Sequence, residues 1–251
     1  TAWLKAHHPV EFMAALMNSV TGNTDKIAFY IDTCKHLGIR VLPPDVGLSG
    51  DGFSVDREQE KAIRFGLGAV KNVGHGAVMA IIAARKAPFT DLYDFIDRAC
   101  CDLVNKKAVE SLVMAGALDG LPGSRKQKLE ALEKAIDGAA KKRRNTLEGQ
   151  VSLFGEAEAL PPPPLPGCAP ETLREKLQME RDMTGVYISG HPLDEYKEEL
   201  SRFPVDHMAL AAFADEPDGG MGHDGEIVEM AGMVAEKRLK ATKSGGLMAL
   251  V

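Results

Sequence analysis

Gly74 and Gly76 stand between an apolar approach and an apolar helix, and they restrict what this chain can fold into more than any other feature. The run from Ile63 to Arg85 is apolar through Ala69 and Val70 and bends at Gly74-His75-Gly76. It then resumes as a helix in which Ile81 and Ile82 face a core. Glycines at this spacing predict a sharp turn through positive φ, with no Cβ in the way of an approaching group. A helix starting directly after them points its unpaired first-turn N–H groups outward, where they favour an anion such as phosphate. From Lys61 to Lys86 the five charged residues are all basic: Lys61, Arg64, Lys71, Arg85 and Lys86.

This is the layout of a helix-hairpin-helix that grips a nucleic-acid backbone without reading bases. A glycine-rich turn into a helix that binds nothing has the same pattern, and the residues alone leave both open. A weaker second copy follows. Asn105 begins a helix with apolar Val109, Leu112 and Val113, and Leu118 to Arg125 turns into another helix carrying Leu129 and Leu132. Arg125 stands where the first copy has its second glycine, which weighs against phosphate binding at that turn.

The 251 residues suffice for two or three domains, and the net charge of −6 argues against a uniformly basic nucleic-acid binder. The charge is segregated, however. Pro122 to Arg144 carries eight basic and three acidic residues, and Asn145 to Glu199 carries four basic and eleven acidic ones. Such a chain is expected to bind a phosphate backbone with one part and keep another part clear of it. Cys34, Cys100, Cys101 and Cys168 lack metal-ligand spacing and are expected as free thiols in a reducing cytoplasm. No apolar run approaches the length of a membrane span, so no membrane partner is expected. Thr1 in place of a methionine and an apolar end at Val251 read as a piece of something longer.

Residues 1–45 read as two helices, the first over Val10–Asn18. The second is capped by Thr24 or Asp25 and stopped by Gly38. Phe53–Val55 and Ala62–Phe65 are expected to pair as a hairpin. Periodicity is lost over 145–170, where Pro161 to Pro164 form an extended linker. An amphipathic helix with Leu173, Leu177, Met183 and Val186 on one side follows. His191, between Gly190 and Pro192, is expected to cap a turn rather than to catalyse. Ile227 to Val234 and Leu247 to Val251 read as strands around a basic loop holding Lys237, Arg238, Lys240 and Lys243. That suits the start of an OB-type barrel, whose surface binds single strands. Before the prolines, Leu153 and Phe154 form an apolar pair in a polar, glycine-flanked stretch. Such a pair either folds back on its domain or fills a partner's pocket, with Gln150 offering amide hydrogen bonds at the rim.

Taken together, these stretches resemble the alpha-subunit family of bacterial DNA polymerase III, the family C replicative polymerases. The resemblance is carried by Thr1 to His7, Phe12 to Ala15, Val41 to Val46, Phe65 to Gly74, and Asn105 to Lys107. It continues through Glu110 to Leu112, Ala115 to Ala117, Gln150 to Phe154, Ser189 to Leu193, Ala231 to Val234, and Thr242 to Gly245. It implies a mainly α fold: the helical end of a fingers domain (1–45), then a tandem helix-hairpin-helix domain binding DNA and clamp (46–165). A linker with connecting helices (166–223) and the first strands of an incomplete OB barrel (224–251) would complete it. The expected partners are duplex DNA, single-stranded template, the sliding clamp and other polymerase III holoenzyme subunits.

Duplex contacts are expected from Lys71, Gly74, Gly76, Arg85, Lys86, Lys106, Lys107, Gly123, Arg125 and Lys126. Clamp contacts are expected from Gln150, Ser152, Leu153 and Phe154, and single-strand contacts from Lys237, Arg238, Lys240 and Lys243. The family's metal-binding aspartates and their Mg²⁺ would belong to a palm upstream of Thr1, so no catalytic residue, metal ligand or cofactor is expected in this segment. Two other classes compete. A helix-hairpin-helix repair enzyme would need a Lys or Asp soon after the hairpin, but the residues after Gly76 are apolar up to Arg85. A free-standing DNA and clamp adaptor is the other alternative.

Overall fold

The computed structural model describes residues 1–100, 103–147, 163–202, 229, 231–234, 237–241 and 247–250. The chain divides into two compact units, Thr1–Gly190 and His191–Val251. The described residues are mainly helical, as expected.

The first unit opens with a short helix α1 (Ala2–His7) and then α2 (Pro9–Ser19), which starts on a proline that needs no amide partner there. α2 buries Met13, Ala14 and Met17 along one side. α3 (Thr24–His36) buries Ile27, Ile31 and Cys34 at helical spacing. Its cap is Asn23, whose side chain accepts from the Lys26 amide, rather than Thr24 or Asp25. Gly38, with φ +69°, follows its end as expected.

The expected hairpin is present: β2 (Ser54–Val55) runs antiparallel to β3 (Ala62–Arg64), and Val55 sits opposite Ile63. A further strand not expected from the sequence, β1 (Arg40–Leu42), pairs in parallel on the other edge of β3. β3 is thus central and wholly buried. Arg64 belongs to this core rather than to a basic face. Its guanidinium pairs with Asp56 at 2.7 Å and reaches the Pro43 carbonyl.

The sheet leads into α4 (His75–Ala84), α5 (Leu92–Ala99), α6 (Lys106–Met114), α7 (Arg125–Leu147) and α8 (Leu173–Thr184). α6 begins where expected, with the Asn105 side chain accepting from the Ala108 amide. Val109, Leu112 and Val113 from α6 and Leu132 from α7 are fully buried in one core with Ile81 and Phe95. α8 packs on α6. Leu177 and Val186 are buried as expected, but Leu173, at the first helical position, lies largely in solvent.

Arg125 organises the end of this unit. Its Nε and Nη2 take both carboxylate oxygens of Asp119, and Nη2 also donates to Glu180 at 2.8 Å. Nη1 donates to the carbonyls of Met114 and Lys176, so all five N–H groups are used. Gly116 makes room for it: a Cβ there would lie 2.3 Å from Arg125 Nη2, and the backbone has φ +85°. Lys128, equally buried, donates to the carbonyls of Leu118, Leu121 and Gly123 at 2.7–2.9 Å and so ties the turn before α7 together.

In the second unit His191 caps a short 3-10 turn. Its amide donates to Asp194 and its Nδ1 accepts from the Leu193 amide, the capping role expected of it. α9 (Lys197–Leu200) follows. β4 (Arg238–Ala241) and β5 (Leu247–Leu250) form an antiparallel ribbon. The first strand is therefore the basic segment expected as a loop, while Ala231–Val234 is not strand.

Gly116→Ala is expected to lower stability by more than about 2 kcal/mol, because it combines a left-handed backbone with a clash against a buried guanidinium. Thermal denaturation beside the unaltered chain checks this, and a change under about 0.5 kcal/mol would count against the packing described.

Candidate nucleic-acid interface

The first hairpin is built from the chain leaving β3. Buried Val70 and Val73 bracket the exposed Lys71 and Asn72, and exposed Gly74 then caps α4. The expected positive φ falls on Asn72 (φ 64°), whereas Gly74 has φ −80° and Gly76 lies within the helix. Asparagine tolerates this left-handed conformation better than most residues. Its Nδ2 donates to Ser111 Oγ on α6 at 2.9 Å. The Lys71 amide donates to the Met183 carbonyl near the end of α8.

The glycines therefore serve openness rather than turning. A Cβ at Gly74 would meet nothing within 4 Å, and one at Gly76 would only touch Leu103 at 3.6 Å. The first helical bond of α4 runs from Val78 to Gly74, so the amides of His75, Gly76 and Ala77 have no acceptor within the helix. This end of α4 is open, backbone-lined and polarised for an anion. His75 Nδ1 lies 3.1 Å from Asp51 Oδ2 at the same rim, a pair the sequence reading did not single out.

The other candidates on the first hairpin do not converge on that point. Arg85 and Lys86 lie at the opposite end of α4. Arg85 is half-buried, donates to the Val46 carbonyl, and lines with Lys86, Asp45, Phe89 and Leu121 a separate cleft of about 360 Å³. Burial pulls the Arg85 guanidinium below its ordinary value, with Asp45 opposing. Lys106 and Lys107 sit on the first turn of α6, where Lys106 pairs with Glu133 at 3.1 Å and Lys107 is exposed.

The second hairpin has the expected helix-turn-helix course, but its anion-binding groups are engaged within the chain. The amides of Arg125 and Lys126 both donate, at 3.2 Å, to the Glu171 carboxylate. Lys126 Nζ is taken by Glu175, and Gln127 Nε2 donates to the Pro166 carbonyl. Leu165 covers Gly123, where a Cβ would come within 2.2 Å of its Cδ1. The Arg125 side chain is 1% exposed and wholly occupied. At Gly123, Arg125 and Lys126, expected as DNA contacts, carboxylates and apolar cover from 165–180 thus occupy the backbone and side-chain groups that a phosphate would need.

Burial pushes the Glu171 carboxyl upward, but hydrogen bonds from its own amide and those of Lys126 and Arg125 outweigh it and leave it lowered. The Lys126 ammonium, helped by the Thr172 amide and hydroxyl, holds Glu175 down at about 2. Asp119 is also lowered, as Arg125 overcomes the opposing effect of burial.

Gln150, Ser152, Leu153, Phe154 and Lys243 lie outside the described residues. Lys237, Arg238 and Lys240 are exposed on or beside β4. No group of three or more His, Cys, Asp or Glu among the described residues is placed to hold a metal ion. No described helix is long and apolar enough to cross a membrane.

Comparison with known proteins agrees with this architecture. A helix-hairpin-helix motif family matches residues 38–128, which span the first hairpin and the second as far as the first turn of α7. DNA polymerase III subunit alpha of Thermus aquaticus is 43% identical over 253 residues, covering 99% of this chain and 20% of that protein. The subunit of the same name from Vibrio cholerae is 36% identical, covering 100% of this chain and 21% of that protein. That of Escherichia coli K12 is 34% identical, covering 98% and 21%. The chain thus spans about a fifth of the length of these relatives.

Carboxylates whose pKa is depressed by folding contribute stability above their unfolded value, and that contribution is lost as pH falls through the folded one. The melting temperature is therefore expected to fall as pH drops from about 4.5 toward about 2. Glu175→Gln should be less stable than the unaltered chain at neutral pH, with the difference vanishing near the acid end. A gap independent of pH, measured by thermal melts across that range, would contradict the assignment.

Proposed function

We propose that this chain, by sequence a segment of the DNA polymerase III alpha-subunit family along its whole length, holds duplex DNA and the sliding clamp for a bacterial replicative polymerase. The observation that carries the DNA-holding reading is the contrast between the hairpins. The first presents first-turn amides without an acceptor in the helix, the uncovered Gly74 and the exposed Lys71, whereas the second is filled by the chain's own carboxylates. Lys71, Gly74 and Gly76 hold the phosphate backbone, with Lys107 and Lys106 at the start of α6 adding positive charge. Arg85 and Lys86, at the far end of α4, would meet a different part of the duplex. Contacts of this kind position the duplex and do not read its sequence.

The parent polymerase would carry out Mg²⁺-dependent nucleotidyl transfer in cells with a reducing cytoplasm. The described residues offer no carboxylate cluster fit to hold its metals, and no catalytic step is assigned to them. The exposed cations Lys237, Arg238 and Lys240, with Lys243, would meet single-stranded template as the first part of an OB barrel. Other holoenzyme subunits are further partners of the parent.

Duplex binding should be independent of sequence and steeply salt-dependent. Lys71→Ala should reduce the slope of log K against log salt by about 0.9, the value of one phosphate contact. Gly74→Ala with Gly76→Ala should weaken binding while the melting temperature stays within a few degrees, since neither Cβ meets an obstacle. Equal affinity and slope in all variants, titrated by fluorescence anisotropy, would show that the hairpin is structural only.

Clamp docking is assigned to Gln150, Ser152, Leu153 and Phe154. A short apolar motif loses chain entropy on binding and buries little area, so a dissociation constant on the order of micromolar is expected. A clamp encircling DNA makes such a weak contact processive by raising its effective concentration. Leu153→Ala with Phe154→Ala should abolish binding to the isolated clamp in surface plasmon resonance and leave duplex binding unchanged. Retained clamp binding with a lowered melting temperature would place the pair in the chain's own core.

A further inference from the structure

The loop that presents Lys71 is pinned from two sides. Asn72, in its left-handed conformation, donates to Ser111 on α6, and the Lys71 amide donates to the Met183 carbonyl on α8. α8 is in turn fixed along its length by the second hairpin. Glu171, just before the helix, takes the amides of Arg125 and Lys126, and Glu175 takes Lys126 Nζ. One turn further on, Glu180 takes Arg125 at 2.8 Å and the amides of Ile188 and Ser189. Beyond its end, Gly185 (φ +79°) lies so close to Thr24 that a Cβ would fall 1.8 Å from Thr24 Cγ2. The helix therefore has little freedom to shift, and neither has the carbonyl it offers to Lys71.

We propose that the second hairpin positions the first: by holding α8 through Glu171 and Glu180 it fixes the loop of Lys71 and Asn72 for duplex DNA, making Asn72, Glu171 and Glu180 positioning residues that touch no phosphate. The inference rests on the duplex-binding reading above. Fixing a loop beforehand removes ordering cost from binding, so its loss lowers affinity without changing how many phosphates are neutralised. That separates a positioning residue from a contact such as Lys71, whose loss lowers the slope.

The experiment titrates a short mixed-sequence duplex against the whole chain over a range of salt, with thermal melts alongside. The variants are Asn72→Gly, Ser111→Ala, both together, and Glu171→Ala. Asn72→Gly keeps the left-handed backbone and loses only the side-chain bond. Each variant should weaken binding about two- to tenfold with the salt slope unchanged. The double variant should be no weaker than either single one, because both remove the same hydrogen bond. Variants that bind as tightly as the unaltered chain would overturn the inference and leave the duplex-binding reading standing. A slope reduced by about one in Asn72→Gly or Glu171→Ala would also overturn it, by making that residue a contact. Failure of the unaltered chain to bind duplex DNA would overturn both readings together.

Discussion

A single buried guanidinium holds the end of the first unit together. Arg125 joins Asp119 in the turn after α6, the Met114 carbonyl near the end of α6, and Glu180 on α8. Taking a charge this deep out of water is costly, and it is tolerated because all five donors find acceptors. Glu180, fully buried itself, is satisfied on both oxygens by Arg125, the Ser189 hydroxyl and two backbone amides. Removing one member would strand the others, so the group acts as a unit. Its geometry also fixes Gly116, where a side chain would collide with the guanidinium.

The same network explains the segregation of charge. The basic excess from Pro122 to Arg144 suggests a nucleic-acid face, and the acidic stretch after it a segment kept away from phosphate. The structure brings the two together instead. Arg125 pairs with Glu180 and Lys126 with Glu175, while Lys142 pairs with Asp97 on α5 and Lys128 is consumed by three carbonyls. Part of the basic face is thus neutralised internally, while Lys134 and Lys141 on α7 and Lys71 on the first hairpin stay exposed. Two hairpins of common course differ in exposure, one with its first-turn amides uncovered and one closed over by residues 165–180.

Much of the fold was legible in local pattern. Apolar spacing located α2, α3, α6 and α7, Asn105 and Gly38 marked helix ends, and the charged turn between Ser54 and Arg64 marked a hairpin. Such features depend on neighbours a few residues away. β1 was not legible, because a parallel partner lies more than a dozen residues off and leaves no turn signature. Asn72 carried a weak signal, an asparagine before a Gly-x-Gly bend, and the glycines drew the positive φ that belongs to it.

The sequence by itself determined the main helices of the first unit and the presence of two hairpins, because hydrophobic period and capping chemistry act over single turns of helix. Arg125 in place of a glycine already showed that the second copy was altered. Only the tertiary structure decided which copy stays open. The carboxylates that close the second hairpin lie 45 to 55 residues beyond it in the chain. Whether an amide faces water or a glutamate across such a separation depends on how helices pack, and no local pattern of residues records it.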